Sequence, residues 1–316
     1  MKIVLTLQDR FRGALLGLAC GDAVGTTVEF ESRGTFKPVI DMVGGGPFNL
    51  QPGEWTDDTS MALCLAASLI EKHGFDPHDQ LTRYCRWRNE GYMSSTGHCF
   101  DIGNTTSDAL DRLERLGTPF CSDAAANANM AANGCIMRLA PIPMWFYPDR
   151  EAAIHYAALS AKTTHGALEC LETSRLFSAM LHSALDGASK EELLFGKSEL
   201  GLTSPAVQAL AKGSYAVKTR DQIRGSSYVV EALEAALWCF LNTDTFKAAV
   251  LAATNLGDDA DTTAAICGQL VGAFYGENAI PRPWLKRLAM VDDIRALADG
   301  LRLHGTSENS SKSPTA

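Results

Sequence analysis

At 316 residues, with 46% apolar and 21% charged residues, the chain can bury a sizeable core and has the balance of an ordinary globular protein. A formal charge of −9 excludes a broad nucleic-acid surface, which needs a basic stripe, but not a small anionic ligand held by a few backbone N–H groups. Nine cysteines, with no Cys-x-x-Cys pair, lie mostly in apolar helical runs and read as buried free thiols of a reducing compartment.

The stretch from Met1 to Asp9 lacks the apolar core and cleavage site of an export signal. No apolar run reaches the ~20 residues that a spanning helix needs. The expectation is a cytoplasmic protein with neither a membrane nor a nucleic acid as partner. Residues 10–23 form an apolar helix with Gly13, Gly17 and Gly21 on one face, which another helix or a ligand can approach closely; Gly13 and Gly17 are read as helix packing. Residues 30–56, with Gly34, Pro38, Gly44-Gly45-Gly46-Pro47, Pro52 and Gly53, resist helix, and a long loop of this kind is usually functional or mobile; its part over 30–53 is expected to distinguish target proteins.

Residues 58–70 are apolar nearly all round, as in a central buried helix. Helical spacing continues through 78–90, 105–116, 123–138, 148–161, the run Phe177 to Leu185, 206–215, the run Val230 to Leu241, 244–254, 260–275 and 291–302. Alternating strand patterns are scarce. The reading is therefore all-α: one compact domain of a dozen or so helices over residues 1–304, followed by a small polar, disordered tail over 305–316.

Three acidic clusters lie among apolar or small residues, where charge is costly: Gly21-Asp22-Ala23-Val24-Gly25 through Glu29, Trp55-Thr56-Asp57-Asp58-Thr59, and Gly257-Asp258-Asp259-Ala260-Asp261-Thr262. The last two open helices, and capping or the helix dipole accounts for one or two acids in each. It does not account for Thr-Asp-Asp-Thr together with Asp-Asp-x-Asp-Thr. Packed carboxylates repel one another and take up protons on burial unless a cation is present. In a regular helix Asp259 and Asp261 point about 200° apart, so they converge only if the motif is a non-helical entry turn. Carboxylates with Thr hydroxyls and no His or Cys suit Mg²⁺ or Mn²⁺, with structural calcium as the competitor.

These blocks, with Phe100-Asp101-Ile102-Gly103-Asn104-Thr105, Asn133-Gly134-Cys135 through Arg138 to Pro141, and Thr164-His165, resemble in their order the ADP-ribosylglycohydrolase family. The likeness runs from about Arg10 to about Gly276. It implies the compact orthogonal multi-helix fold of that family. It also implies two Mg²⁺ or Mn²⁺ ions held by Thr56, Asp57, Asp58, Asp259, Asp261 and Thr262, with Asp259 also catalytic. Glu29 matches an acid on a mobile loop and Asp101 an acid near the scissile bond, both catalytic candidates. Asp258 is read as a helix cap or an outer residue of the site.

The block around Asp101 looks most like the dinitrogenase-reductase-activating branch, whose substrates carry arginine-linked ADP-ribose. The resemblance thus implies an N-glycosyl hydrolase that removes ADP-ribose from protein arginine side chains. The modification it reverses is either regulatory or the work of an ADP-ribosyltransferase toxin. Substrate contacts are expected at Phe100, Ile102, Gly103, Asn104, Asn133, Gly134, Arg138 and His165. Arg138 is equally readable as an internal partner of an acid, and Trp55 as packing. Four other readings stay open: a serine- or O-linked ADP-ribose hydrolase, a silent ADP-ribose-binding relative, a two-metal phosphohydrolase, and an immunity protein that blocks its toxin by contact. The absence of a Lys/Arg cluster beside the acids weighs against the phosphohydrolase.

Overall fold

The computed structural model describes residues 5–121, 131–195 and 198–309. Among them the chain forms helices and no strand, in the order α1 Leu7–Gly25, α2 Asp57–Lys72, α3 Pro77–Glu90, α4 Asn104–Leu116, α5 Pro141–Phe146, α6 Arg150–Lys162, α7 Leu168–Leu185, α8 Lys190–Leu194, α9 Pro205–Ala211, α10 Val229–Leu241, α11 Phe246–Thr254, α12 Ala260–Tyr275, α13 Arg282–Arg287 and α14 Val291–Asn309. The all-α expectation holds, and no described helix is long and apolar enough to cross a membrane.

The centre of the fold is the pair α1 and α12. Helix α1 starts at a capping box, Thr6 accepting from Asp9 N–H and Asp9 from Thr6 N–H, which fixes its first turn. Its glycines then meet small residues of α12 in reverse order, Gly13 against Gly272, Gly17 against Gly268 and Gly21 against Ala264. The helices are therefore antiparallel. A Cβ at any of the three glycines would lie closer than 3.0 Å to a backbone carbonyl oxygen of α12, so the two backbones touch without side chains between them. The glycine spacing thus sets helix packing at all three positions. Its consequence is positional: the C-terminal end of α1 and the N-terminal end of α12 share one end of the molecule.

Helix α2 is buried continuously from Asp57 to Leu69, as its all-round apolar sequence requires. Its N-cap Thr56 makes no side-chain cap. Asp22 of α1 caps it instead, accepting from Thr56 N–H at 2.9 Å, Thr59 N–H at 3.0 Å and the Thr59 hydroxyl at 2.6 Å. Three helix ends thereby converge.

Some expectations need correction. In the helix expected over 123–138, residues 122–130 lie outside the described residues, and the remainder is not α-helical. Asn133 N–H donates to Ser227 and Val229 N–H to Ala131, and only a 3-10 turn, Asn133–Cys135, follows. Backbone groups committed across to residues 227–229 cannot serve an i→i−4 ladder. The helix expected over 206–215 breaks at Gly213, at φ +78°, into α9 and a 3-10 turn. The short helices α5, α8 and α13 were not foreseen. Helix α14 continues to Asn309, with Gly305 against the Trp145 backbone; residues 310–316 lie outside the described residues.

The irregular 30–56 stretch is pinned rather than loose. Asn255 exchanges hydrogen bonds with the Val39 backbone, and Asp41 accepts from the Trp284 indole and from Arg287. All nine cysteines are free thiols, eight of them buried and Cys99 half-buried.

Candidate active site

Where the three helix ends meet, a cavity of about 300 Å³ opens, lined by Glu29, Asp57, Asp101, Asp259 and Asp261 and by no Lys or Arg among the described residues. Asp259 stands at the cap position of α12 with φ −87° and ψ 67°, outside the helix, whereas Asp261 is its second residue. This is the non-helical entry turn that convergence demanded. Asp258 is not a cap and does not line this cavity: it is exposed, at φ +57°, and α12 has no side-chain cap. Its backbone matters instead, accepting from Phe30 N–H and donating to Glu31, both at 2.8 Å, which ties the Glu29 segment to the third acidic motif.

One oxygen each from Glu29, Asp101 and Asp261 lie within 4.8 Å of one another. The Thr56 hydroxyl faces Asp22, Asp261 and Asp58 at 3.0, 3.2 and 3.5 Å, so its one proton cannot satisfy all three carboxylates. The Thr262 hydroxyl lies 3.3 Å from Asp58. The second oxygens of Asp58 and Asp261 are buried without any hydrogen-bond partner. Burial, then neighbouring acids, push Asp57, Asp58 and Asp261 well above the usual carboxylate range. The same causes push Asp101 up to about 7 and Glu29 to about 9. Asp259 is raised by burial but tempered by the Asn133 amide, which donates to it at 2.9 Å. Such a set is ionised together only beside cations. Orphaned buried oxygens and an all-oxygen donor set fit hard divalent ions.

The rest of the cavity is built from backbone. Helix α4 opens at Gly103 with no side-chain cap, so its first N–H groups, beside Asn104, Thr105 and Thr106, face the cavity. The 3-10 turn brings Asn133 and Gly134 to the same space, with Gly134 packed so closely on the His165 ring that a Cβ would meet it at 2.8 Å. His165 also lines the cavity; burial first, then Arg138, lower its pKa to about 3, so the imidazole is neutral.

Three expected contacts do not reach the cavity. Arg138 is buried behind the turn, donating to the Gly134 carbonyl at 2.8 Å and to the Thr164 hydroxyl, with Tyr84 beneath its guanidinium. It braces the turn and partners no acid among the described residues. The Phe100 ring packs against Phe48, and Ile102 against the core. Thr56 and Asp58 sit one layer behind the lining, and Trp55 is fully buried packing. Sequence reasoning missed the Asp22 clamp and the lining residues Phe30, Ala132, Met137 and Ser227. Asp22 stood in a quoted motif, but capping a helix 34 residues later leaves no local signature.

Helix ends thus deliver five carboxylates to one cavity of an all-helical domain, the acid-lined pocket of a hydrolase. The family model described as ADP-ribosylglycohydrolase matches residues 4–312, and the chain belongs to that family of hydrolases. It is 45% identical over 300 residues to the ADP-ribosylarginine hydrolase Tri1 of Pseudomonas putida (strain GB-1), covering 93% of this chain and 78% of the relative. It is 31% identical over 306 residues to the ADP-ribosyl-dinitrogen reductase glycohydrolase of Rhodospirillum rubrum, covering 94% and 96%. A solved structure described as an ADP-ribosylglycohydrolase-related protein complex superposes with a TM-score of 0.82 at 42% identity, covering 95% of this chain and 99% of that one.

Proposed function

We propose that the enzyme removes ADP-ribose from arginine side chains of proteins, with two Mg²⁺ or Mn²⁺ ions held by Thr56, Asp57, Asp58, Asp259, Asp261 and Thr262. The observation that carries this is a ring of five carboxylates with no Lys or Arg among the described residues, beside the uncapped N-terminus of α4. An anionic dinucleotide enters so negative a cavity only with cations between them. Relatives at 45% and 43% identity bear the name ADP-ribosylarginine hydrolase, which supports the arginine linkage.

Bound there, the ions would supply Lewis acidity to the ribose hydroxyls and to a water. The pyrophosphate lies against the N–H groups of Gly103, Asn104, Thr105 and Gly134. His165, being neutral, adds a hydrogen bond without a charge. Cleavage at the anomeric carbon passes through an electron-poor, oxocarbenium-like state, which the surrounding carboxylates stabilise. The guanidine leaves only when its nitrogen is protonated. Glu29 and Asp101, which line the cavity with oxygens close to one another, are the carboxyls that hold and deliver that proton. The reaction reverses mono-ADP-ribosylation set either by regulation or by an ADP-ribosyltransferase toxin.

The test is release of ADP-ribose from arginine- and serine-linked substrates. Release from arginine alone, lost with EDTA and in Asp57→Ala, is expected. Release from serine alone overturns the linkage, and binding without release overturns the reaction.

A further inference from the structure

We propose that Phe30 is the platform on which the leaving arginyl group stacks, and that it selects a planar guanidinium over a hydroxyl-linked residue. This rests on the arginine reading above.

Phe30 follows Glu29 and lines the cavity with it, yet it is 67% exposed. Its φ of +65° is a left-handed conformation that a bulky residue adopts only under strain. Burial does not repay that strain, because little of the ring is buried. The backbone enforces it: Phe30 N–H donates to Asp258, Asp258 N–H donates to Glu31, and Gly257, at φ +74°, packs against the Glu31 carbonyl. Glycine would satisfy this backbone without strain, and asparagine with less strain than phenylalanine. The third acidic motif thus holds an aromatic residue, in an unfavourable conformation, at the rim of the acid ring.

A guanidinium is recognised in two directions. Carboxylates take its N–H groups in the plane, and an aromatic face takes the plane itself. Glu29 and Asp101 supply the first and Phe30 the second. No Lys or Arg among the described lining residues repels the cation. A serine-linked substrate offers neither a plane nor a charge, so the ring contributes nothing to it.

The experiment compares the parent with Phe30→Tyr, Phe30→Leu and Phe30→Asn. It measures kinetics on arginine- and serine-linked ADP-ribosylated peptides, free ADP-ribose affinity and Tm. Phe30→Leu and Phe30→Asn are expected to raise KM for the arginine peptide about tenfold, with kcat within about threefold. Phe30→Tyr should restore KM. ADP-ribose affinity should stay constant, and Phe30→Asn should melt no lower than the parent. An unchanged KM in Phe30→Leu overturns the proposal. A parallel loss of ADP-ribose affinity does so too, by placing the ring under the nucleotide, and a lower Tm in Phe30→Asn does so by making the ring part of the fold. If the parent itself releases nothing from the arginine peptide, the arginine reading fails first and the platform falls with it, a result distinct from all three.

Discussion

Substituting Gly17 by Ala tests whether the contact between α1 and α12 sets the active site. The added carbon meets the Gly268 carbonyl oxygen closer than 3.0 Å, and ordinary van der Waals contact begins near 3.4 Å. The obstacle is backbone, so it cannot swing aside, and the helices must part by about 1 Å, which forfeits a quarter to a half of the dispersion at their interface. Overpacking of this kind costs about 3 kcal/mol, of which roughly 1 kcal/mol is returned by the better helix propensity of Ala. The net loss of about 2 kcal/mol corresponds to a fall in Tm of roughly 3 °C for a chain of this length. The same clash occurs at Gly13 and Gly21, so all three Ala variants should melt lower by similar amounts. Their effect on metal binding should be graded. Gly21 abuts Asp22 and faces Ala264, three residues beyond Asp261, whereas Gly13 lies at the far end of the pair. Calorimetric titration with Mn²⁺ should show about a tenfold weakening in Gly21→Ala and little change in Gly13→Ala. Unchanged Tm and Mn²⁺ affinity in Gly17→Ala would refute the reasoning.

Asp22→Asn turns one oxygen into an amide that faces the N–H of Thr56 or Thr59; Mn²⁺ affinity should drop 10- to 100-fold on the order of other outer-shell losses, although Asp22 does not line the cavity. An unaltered titration would show that the clamp is dispensable. Glu29→Gln and Asp101→Asn should each lower kcat about 10²- to 10⁴-fold while ADP-ribose binding persists, as single-turnover assays and calorimetry can check. Without metal, the carboxylates have folded-state pKa values above their unfolded ones. The stability they contribute is complete below about pH 4 and drains as pH rises through about 7 for Asp101 and about 9 for Glu29. Thermal melts in EDTA should therefore show Tm falling from pH 5 to pH 9, and Mg²⁺ should flatten that slope. A metal-free Tm that rises across the window would contradict the sign.

The starts of α2 and α12 were legible to within a residue because acids and threonines before a long apolar run have a local cause: capping, the helix dipole and the need for a shared cation. The 131–138 segment was misread for the opposite reason. Its composition suits a helix, but its backbone partners come from residues 227–229, which no local window contains. Arg138 was ambiguous for a related reason. A buried arginine whose partners are a carbonyl, a hydroxyl and a ring leaves no acid at matching spacing to betray it. Phe30 was invisible because strain belongs to φ, which neither hydropathy nor periodicity encodes.

The antiparallel helix pair also bears on how the protein is made. One member is translated near the beginning and the other near the end, an interval on the order of tens of seconds at ribosomal speed. Throughout that interval the glycine face of the first helix has nothing to lie against. Glu29 and the acids of α2 stay hydrated, and the ring that would hold cations is missing its last segment. A product of premature termination before α12 is therefore not a weaker hydrolase but no hydrolase at all. Activity arrives in one step, when the late helix docks onto the early one.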